Sequence, residues 1–231
     1  MTPKKTFGDH VRWGSPDDQS AALKSLASQL RTRAGKMAAT IPRNDVSASR
    51  ERLLTAAADS VDLVAGDAVD APITVIALAT RNLFEIDLRA RYVEQSEANL
   101  RAWISEALLD RIQLYEGILT LGGPKEVTDR LLAEVEYNRQ LAEKHGLTLG
   151  RKPMPTSDLA QKVGMEKEYT ALFKLYSKLL HPTSYSVNVS SDEVGSLINR
   201  NILLGQLQFY GHDLLGRSHQ WASEAGGERS K

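Results

Sequence analysis

Apolar residues recur at intervals of three and four along nearly the whole chain, whereas the strict alternation that is typical of β-strands is nearly absent. Such spacing places apolar side chains on one face of an α-helix. The pattern repeats in segment after segment from Ser15 to about Ala222. It therefore predicts an all-α protein, a helical bundle of about seven to eight helices in a single main domain.

The length of the chain fits this organisation, because single hydrophobic cores stop growing only at roughly 250 to 300 residues and the chain has 231. We expect a polar N-terminal arm over residues 1–14, a helical bundle over residues 15–225 and a disordered tail over residues 226–231.

The segment after Pro182 is polar and is expected to form a loop over residues 182–192. A final helix from Asp192 to about Ala222 should follow it. Its apolar positions, which include Leu197, Ile198 and Ile202, are expected to be buried.

The composition excludes several classes of function. Lys and Arg number 29 and Asp and Glu number 29, so a nucleic-acid partner would need a local basic patch. The absence of cysteine excludes disulfides, thiolate metal sites and a thiol nucleophile. The five histidines show no metal-ligand spacing, and no glycine-rich phosphate-binding motif is present. We therefore predict no metal and no cofactor.

The N-terminal segment lacks the apolar run of a signal peptide, and no stretch of about 18 apolar residues occurs in the chain. These features predict a cytoplasmic location and no membrane partner.

Arg81 and Glu85 are four residues apart on the predicted third helix and border the apolar stripe that contains Phe84 and Leu88. Burial of an unpaired charge is costly, so the two side chains must pair with each other or with groups on other helices. A structural ion pair that sets the register of the helix is an equally compatible interpretation.

Ser177 and His181 show the same spacing on the predicted seventh helix, beside the apolar Tyr176. His181 falls in the last turn, where the carbonyl groups favour an imidazolium, and Pro182 fixes the exit of the chain. A positioned proton donor or phosphate contact would fit this place. A histidine that only caps its own helix is the alternative.

The last predicted helix is unusually polar for one that contains so many leucines. Most of its polar residues should be solvated, while some would face a polar interior or a second subunit. Arg200 and His212 are the best candidates for contributions to a site.

The segments RNLFEIDLRARYV, from Arg81, and YSKLLHPTS, from Tyr176, resemble the bacterial family catalogued as domain of unknown function 5677. The resemblance covers about residues 50–215. It implies a helical protein whose Arg-x-x-x-Glu and Ser-x-x-x-His elements form one constellation, which requires the third and seventh helices to face each other. It implies no activity.

A second resemblance is to helical nucleotide-binding ribonucleases of the HEPN type, in which four to six residues separate an Arg from the His that follows it at a dimer interface and the pair acts on RNA phosphate. Here Lys174 precedes His181 with six residues between them. The spacing fits, but a Lys does not offer phosphate the planar, bidentate set of donors that an Arg does.

Together these features predict a HEPN-like module of bacterial stress or phage-defence systems that binds RNA or a nucleotide. If the protein is an enzyme, it would be a metal-independent ribonuclease or phosphodiesterase-type hydrolase, with His181 transferring a proton, Arg81 stabilising phosphate charge and Glu85 orienting Arg81. The expected substrate-binding residues are Ser177, Tyr176, Lys174, Arg200 and His212. The alternative is a non-enzymatic interaction or oligomerisation protein, such as a homodimer, in which these polar residues form a structural network.

Overall fold

The structure, a computed structural model, describes residues 11–13, 15–40, 44–66, 70–150, 152–189 and 191–227. Within these residues the regular structure is helical throughout, without a strand. Eight of the helices contain seven residues or more. The predicted all-α fold with about seven to eight helices is therefore confirmed.

Among the described residues six long helices are present, and five short helices lie between the fifth and the last of them. In order, the helices are α1 (Pro16–Thr40), α2 (Asp45–Ala65), α3 (Ile73–Gln95), α4 (Glu97–Leu119), α5 (Lys125–Lys144), α6 (Thr156–Lys162), α7 (Glu166–Glu168), α8 (Lys174–Leu180), α9 (Ser184–Asn188), α10 (Ser191–Val194) and α11 (Leu197–Gly227). A π-helical segment, Tyr169–Phe173, joins α7 to α8 without a break.

The segment after Pro182 corrects the sequence-based prediction of a loop. It contains the short helices α9 and α10. Thr183 caps α9 by accepting a hydrogen bond from the backbone N–H of Ser186. Helix α11 begins only at Leu197 and continues to Gly227, so residues 226 and 227 of the predicted tail are helical. Residues 228–231 of that tail lie outside the described part of the chain.

The burial of α11 also differs from the prediction. Leu197, Ile198 and Ile202 are 76%, 71% and 37% exposed, although the sequence predicts them to be buried. Apolar residues occupy more than one face of this helix, and only one face can point inward. The inward face is formed by Leu203, Leu204, Leu207, Tyr210 and Leu214.

The chain groups into two compact units, residues 1–90 with 165–231 and residues 91–164. In the first unit α1 packs along α2 and crosses α11. The crossing with α11 is close, because a Cβ atom at Gly211 would lie 2.6 Å from Leu26 Cδ2. Helix α3 also approaches α11, since the buried Thr80 hydroxyl lies 3.2 Å from the Leu203 carbonyl oxygen.

Residues 11–13, which fall in the predicted N-terminal arm, pack against α11. The buried side-chain amide of Gln208 accepts a hydrogen bond from the Arg12 N–H at 2.8 Å and donates one to the Arg12 carbonyl at 3.2 Å. Val11 is buried, and the Trp13 ring lies against Gly205.

In the second unit α4 and α5 pack against each other and are joined at their surface by an ion pair between Arg139 and Glu116 at 2.7 Å. Gly146 follows the end of α5 by two residues. This glycine has a φ of 58°, and the Leu147 N–H bonds to the Ala142 carbonyl at 2.8 Å. The left-handed conformation favours glycine, so it forms a regular helix C-terminus.

Candidate functional site

Arg81 and Glu85 form the ion pair that their spacing on α3 predicts. Arg81 Nε donates to Glu85 Oε1 at 2.9 Å, and the two side chains are 28% and 36% exposed. Phe84, between them in the sequence, is fully buried. The pair therefore lies at the margin of the core, where a charge is only partly desolvated and can still reach a ligand.

The π-helical segment Tyr169–Phe173 lies next to this pair. The Arg81 guanidinium carbon is 4.6 Å from the centre of the Phe173 ring, which is a cation–π contact. Phe173 in turn stacks on Tyr169, with ring centres 4.7 Å apart and planes 26° from parallel. Short π-helical insertions within α-helices occur frequently at functional sites.

The contact between Arg81 and Phe173 shows how the two conspicuous segments of the sequence meet. A second contact joins the same elements, because the rings of Phe84 and Tyr176 are 6.2 Å apart. The prediction that α3 faces the helix of residues 166–180 is therefore confirmed.

The hydrogen-bonding capacity of Arg81 is only partly used. Its Nε bonds to Glu85, while its two terminal nitrogens form no hydrogen bond with any residue that the structure describes. A guanidinium in a rigid, half-buried setting presents these donors as a planar fork that suits phosphate or carboxylate. The arrangement can therefore hold an anion beside an aromatic surface.

Tyr176 lies beneath this surface rather than on it. Its side chain is fully buried, and its hydroxyl donates to Gln206 Oε1 at 2.6 Å. Burial raises the pKa of the Tyr176 phenol well above its ordinary value, and the Tyr210 phenol raises it further through its charge and a hydrogen bond. Tyr176 thus stays protonated and supports the ring of Phe173 from below, at a centre-to-centre distance of 6.4 Å.

Ser177 and His181 are not joined to Arg81 or Glu85 by a hydrogen bond. The backbone N–H of His181 bonds to the Ser177 carbonyl at 3.1 Å and closes the last turn of α8. The His181 side chain is exposed, and no described residue forms a hydrogen bond with its ring. His181 follows Phe173 by eight residues, which correspond to about 12 Å along a helix.

The other three residues that the sequence selects lie in different surroundings. Lys174, at the start of α8, is exposed. Arg200 is half-buried and donates to the carbonyl oxygens of Gly195 and Ala71 at 3.2 and 2.9 Å, so it anchors the start of α11. His212 is half-buried in the middle of α11.

Sequence reasoning missed an ionic cluster formed by Asp87, Asp213 and Arg217. Arg217 Nε lies 2.8 Å from Asp213 Oδ2 and 4.0 Å from Asp87 Oδ1, and Asp87 is fully buried. The signal was present, because Asp87 falls three residues after Phe84 on the buried face of α3. The cluster joins α3 to α11 and thereby fixes the helix that carries Arg81.

These features define an all-α protein in which an arginine at the margin of the core lies over an aromatic ring. The chain belongs to the family of unknown function (DUF5677), whose model matches residues 63–196. The resemblance seen in the sequence is thereby confirmed, over a shorter range than residues 50–215. The match includes both the Arg81–Glu85 and the Ser177–His181 elements.

No curated protein and no solved structure matches the chain. In the part of the chain that the structure describes, no helix combines the length and the apolar character that a membrane crossing requires.

Proposed function

We propose that this protein binds a nucleotide, either free or as part of a single-stranded RNA, at Arg81 and the stacked rings of Tyr169 and Phe173. The observation that carries the proposal is the Arg81 side chain, whose terminal nitrogens remain available while its guanidinium lies 4.6 Å above Phe173. We name Arg81, Glu85, Tyr169 and Phe173 the anion site.

The two halves of a nucleotide match the two chemistries of the anion site. A phosphate accepts hydrogen bonds from the fork of Arg81, and such charge-assisted bonds are shorter and stronger than neutral ones. A base can stack on aromatic rings, which is worth about 1 to 3 kcal/mol per base and tolerates any sequence. Proteins commonly bind unstacked bases by stacking them on aromatic side chains and arginine guanidinium groups.

The charge of the chain favours a small ligand over a long polyanion. With 29 basic and 29 acidic residues, the molecule has no overall field that would attract an extended phosphate backbone. Glu85 reduces the local charge further. We therefore propose recognition of one nucleotide or a short single-stranded segment.

Binding, rather than hydrolysis, is the step that the contacts around Arg81 support. Cleavage would require a proton-transferring group that is free to act on the bound phosphate. Glu85 Oε1 already accepts from Arg81 Nε, and the exposed His181 ring has no hydrogen bond to the anion site. Metal-independent hydrolysis, the HEPN-like assignment and a role in stress or phage defence stay predictions from sequence.

The test is a calorimetric titration of the protein with AMP and, separately, with a short oligoadenylate. We expect Arg81→Ala to weaken binding by roughly 10-fold to 150-fold, which corresponds to loss of a charged hydrogen bond. Tyr169→Leu should weaken it by about 10-fold through loss of stacking, since the Phe173 ring is already in contact with Arg81 and with Tyr169. The matched control is Arg139→Ala, which removes an arginine of another surface ion pair in the second unit.

Two outcomes would contradict the proposal. One is that neither AMP nor the oligoadenylate binds the wild-type protein. The other is that Arg81→Ala binds as well as Arg139→Ala while being several kcal/mol less stable to urea, because a pair with a purely structural role affects folding and not binding. His181→Ala should bind AMP like the wild type, since His181 is not part of the anion site.

A further inference from the structure

One face of α11 in the first unit exposes an apolar stripe. Ile198, Ile202 and Phe209 follow one another at helical spacing and are 71%, 37% and 40% exposed. Between them lies Gly205, on which the Trp13 ring rests, and Trp13 is 66% exposed. We name Trp13, Ile198, Ile202 and Phe209 the α11 apolar stripe. From Ile198 to Phe209 it spans 12 residues of helix, or about 17 Å.

The stripe carries no charge along its length. Arg200 is the one charged residue between Leu197 and Gly211, and its guanidinium donates to the carbonyl oxygens of Gly195 and Ala71. Exposed faces of helices normally carry charged or polar residues. An uncharged, aromatic-rich face of this kind instead resembles the core of a protein–protein interface.

We propose that the α11 apolar stripe is a dimer interface that binds the same stripe of a second copy of this chain. A two-fold contact brings each surface group against the same patch of its partner, so a patch with charges of one sign would repel itself. The α11 apolar stripe has no such charges. Leu197, 76% exposed beside it, would lie at the rim.

Two other classes of occupant fit less well. A helix that lies on a membrane surface carries Lys and Arg beside its apolar face, whereas the stretch around the stripe holds only the internally bonded Arg200. A nucleic acid likewise requires a basic patch. Trp13 and Phe209 alone present on the order of 200 Å², about a quarter of the roughly 800 Å² that each partner buries in a stable dimer, so a dimer contact must extend beyond the α11 apolar stripe.

Sedimentation equilibrium of the full chain over a wide range of concentration tests the proposal. The wild type should approach twice its 25.5 kDa mass. Ile198→Glu and Ile202→Glu should raise the dimer dissociation constant on the order of 100-fold. Leu63→Glu, which changes a 51% exposed leucine on α2, is the matched control and should remain dimeric.

The same variants distinguish a loss of dimerisation from a loss of folding. Ile198 is mostly exposed, so Ile198→Glu should keep the helical circular-dichroism spectrum of the wild type, and Ile198→Ala gives a milder version of the same change. A wild type that has the mass of one copy at every concentration would overturn the proposal, and so would an Ile198→Glu variant that dimerises as well as Leu63→Glu. The proposal does not depend on nucleotide binding, which titration with AMP measures separately.

Discussion

Three charged residues within two turns of α3, Arg81, Glu85 and Asp87, have different surroundings and therefore different roles. Arg81 and Glu85 are 28% and 36% exposed at the margin of the core, where a charge costs little and can meet a ligand. Asp87 is fully buried, so its charge must be compensated within the protein by Arg217.

Replacement of Arg217 by Ala should lower the free energy of unfolding by about 3 to 5 kcal/mol, because it leaves the buried carboxylates of Asp87 and Asp213 without the guanidinium that compensates them. Arg31 is the control, since it also pairs with two carboxylates, those of Asp59 and Asp62, but at the surface. Arg31→Ala should cost no more than about 2 kcal/mol, at most about 1 kcal/mol for each exposed pair. Urea unfolding measures both, and equal losses would contradict the assigned role of the ionic cluster.

Tyr176→Phe tests the buried phenol. At neutral pH the variant should be about 1 kcal/mol less stable than the wild type, because the hydrogen bond to Gln206 is lost. Above about pH 10, the unfolded Tyr176 ionises while the folded one, whose pKa is raised, does not. The wild type keeps the full stabilisation from Tyr176 below pH 10 and loses it as the pH rises further. The difference in free energy of unfolding between the wild type and Tyr176→Phe should therefore narrow. A constant difference from pH 7 to 11 would contradict the shift.

The sequence predicts Arg81 and Glu85 as a pair because both partners lie on one helix, where spacing alone determines proximity. It does not predict the partners of Asp87, because Asp213 and Arg217 lie on α11, at the other end of the chain. For the same reason Phe173 was not recognised as the aromatic surface beneath Arg81. Contacts between distant segments depend on packing, which periodicity alone does not describe.

At the scale of the helices, local signals explain where several elements begin and end. Asn44 and Ser96 cap α2 and α4, and Gly146 in the left-handed conformation follows the end of α5. The π-helical segment Tyr169–Phe173 has no such signal, since it arises from one extra residue that is accommodated by packing. Likewise, the apolar residues of α11 occupy more than one face, and the sequence does not reveal which face is buried.

Two glycine-to-alanine substitutions, one away from the crossing of α1 and α11 and one within it, test how closely these helices pack. Gly35→Ala on α1 has open space around the new Cβ and should stabilise the protein by about 0.5 to 1 kcal/mol. Gly211→Ala on α11 would bring the Cβ to 2.6 Å from Leu26 Cδ2. Overpacking costs about 1 to 3 kcal/mol, so this variant should be less stable than the wild type. Thermal unfolding distinguishes them, and two shifts of the same sign would contradict the packing.

At the scale of the whole molecule, the numbers of basic and acidic residues are equal. Anion binding must therefore depend on a local group of residues and not on the net charge. The anion site is such a place, since it combines a cation, aromatic rings and partial burial. Its cation is already paired with Glu85, and a bound phosphate would experience the negative charge of that carboxylate. Glu85 therefore both orients Arg81 and limits the affinity of the site.

The affinity of Glu85→Gln for AMP tests the proposed function most directly. Glutamine retains an oxygen that can accept from Arg81 Nε, so the orientation is kept while the negative charge is removed. We predict that the variant binds AMP roughly threefold to tenfold more tightly than the wild type, which corresponds to about 0.7 to 1.4 kcal/mol of relieved repulsion. Affinity that is unchanged or weaker, in a variant that is folded like the wild type, would contradict the assignment of Arg81 as the group that binds the phosphate.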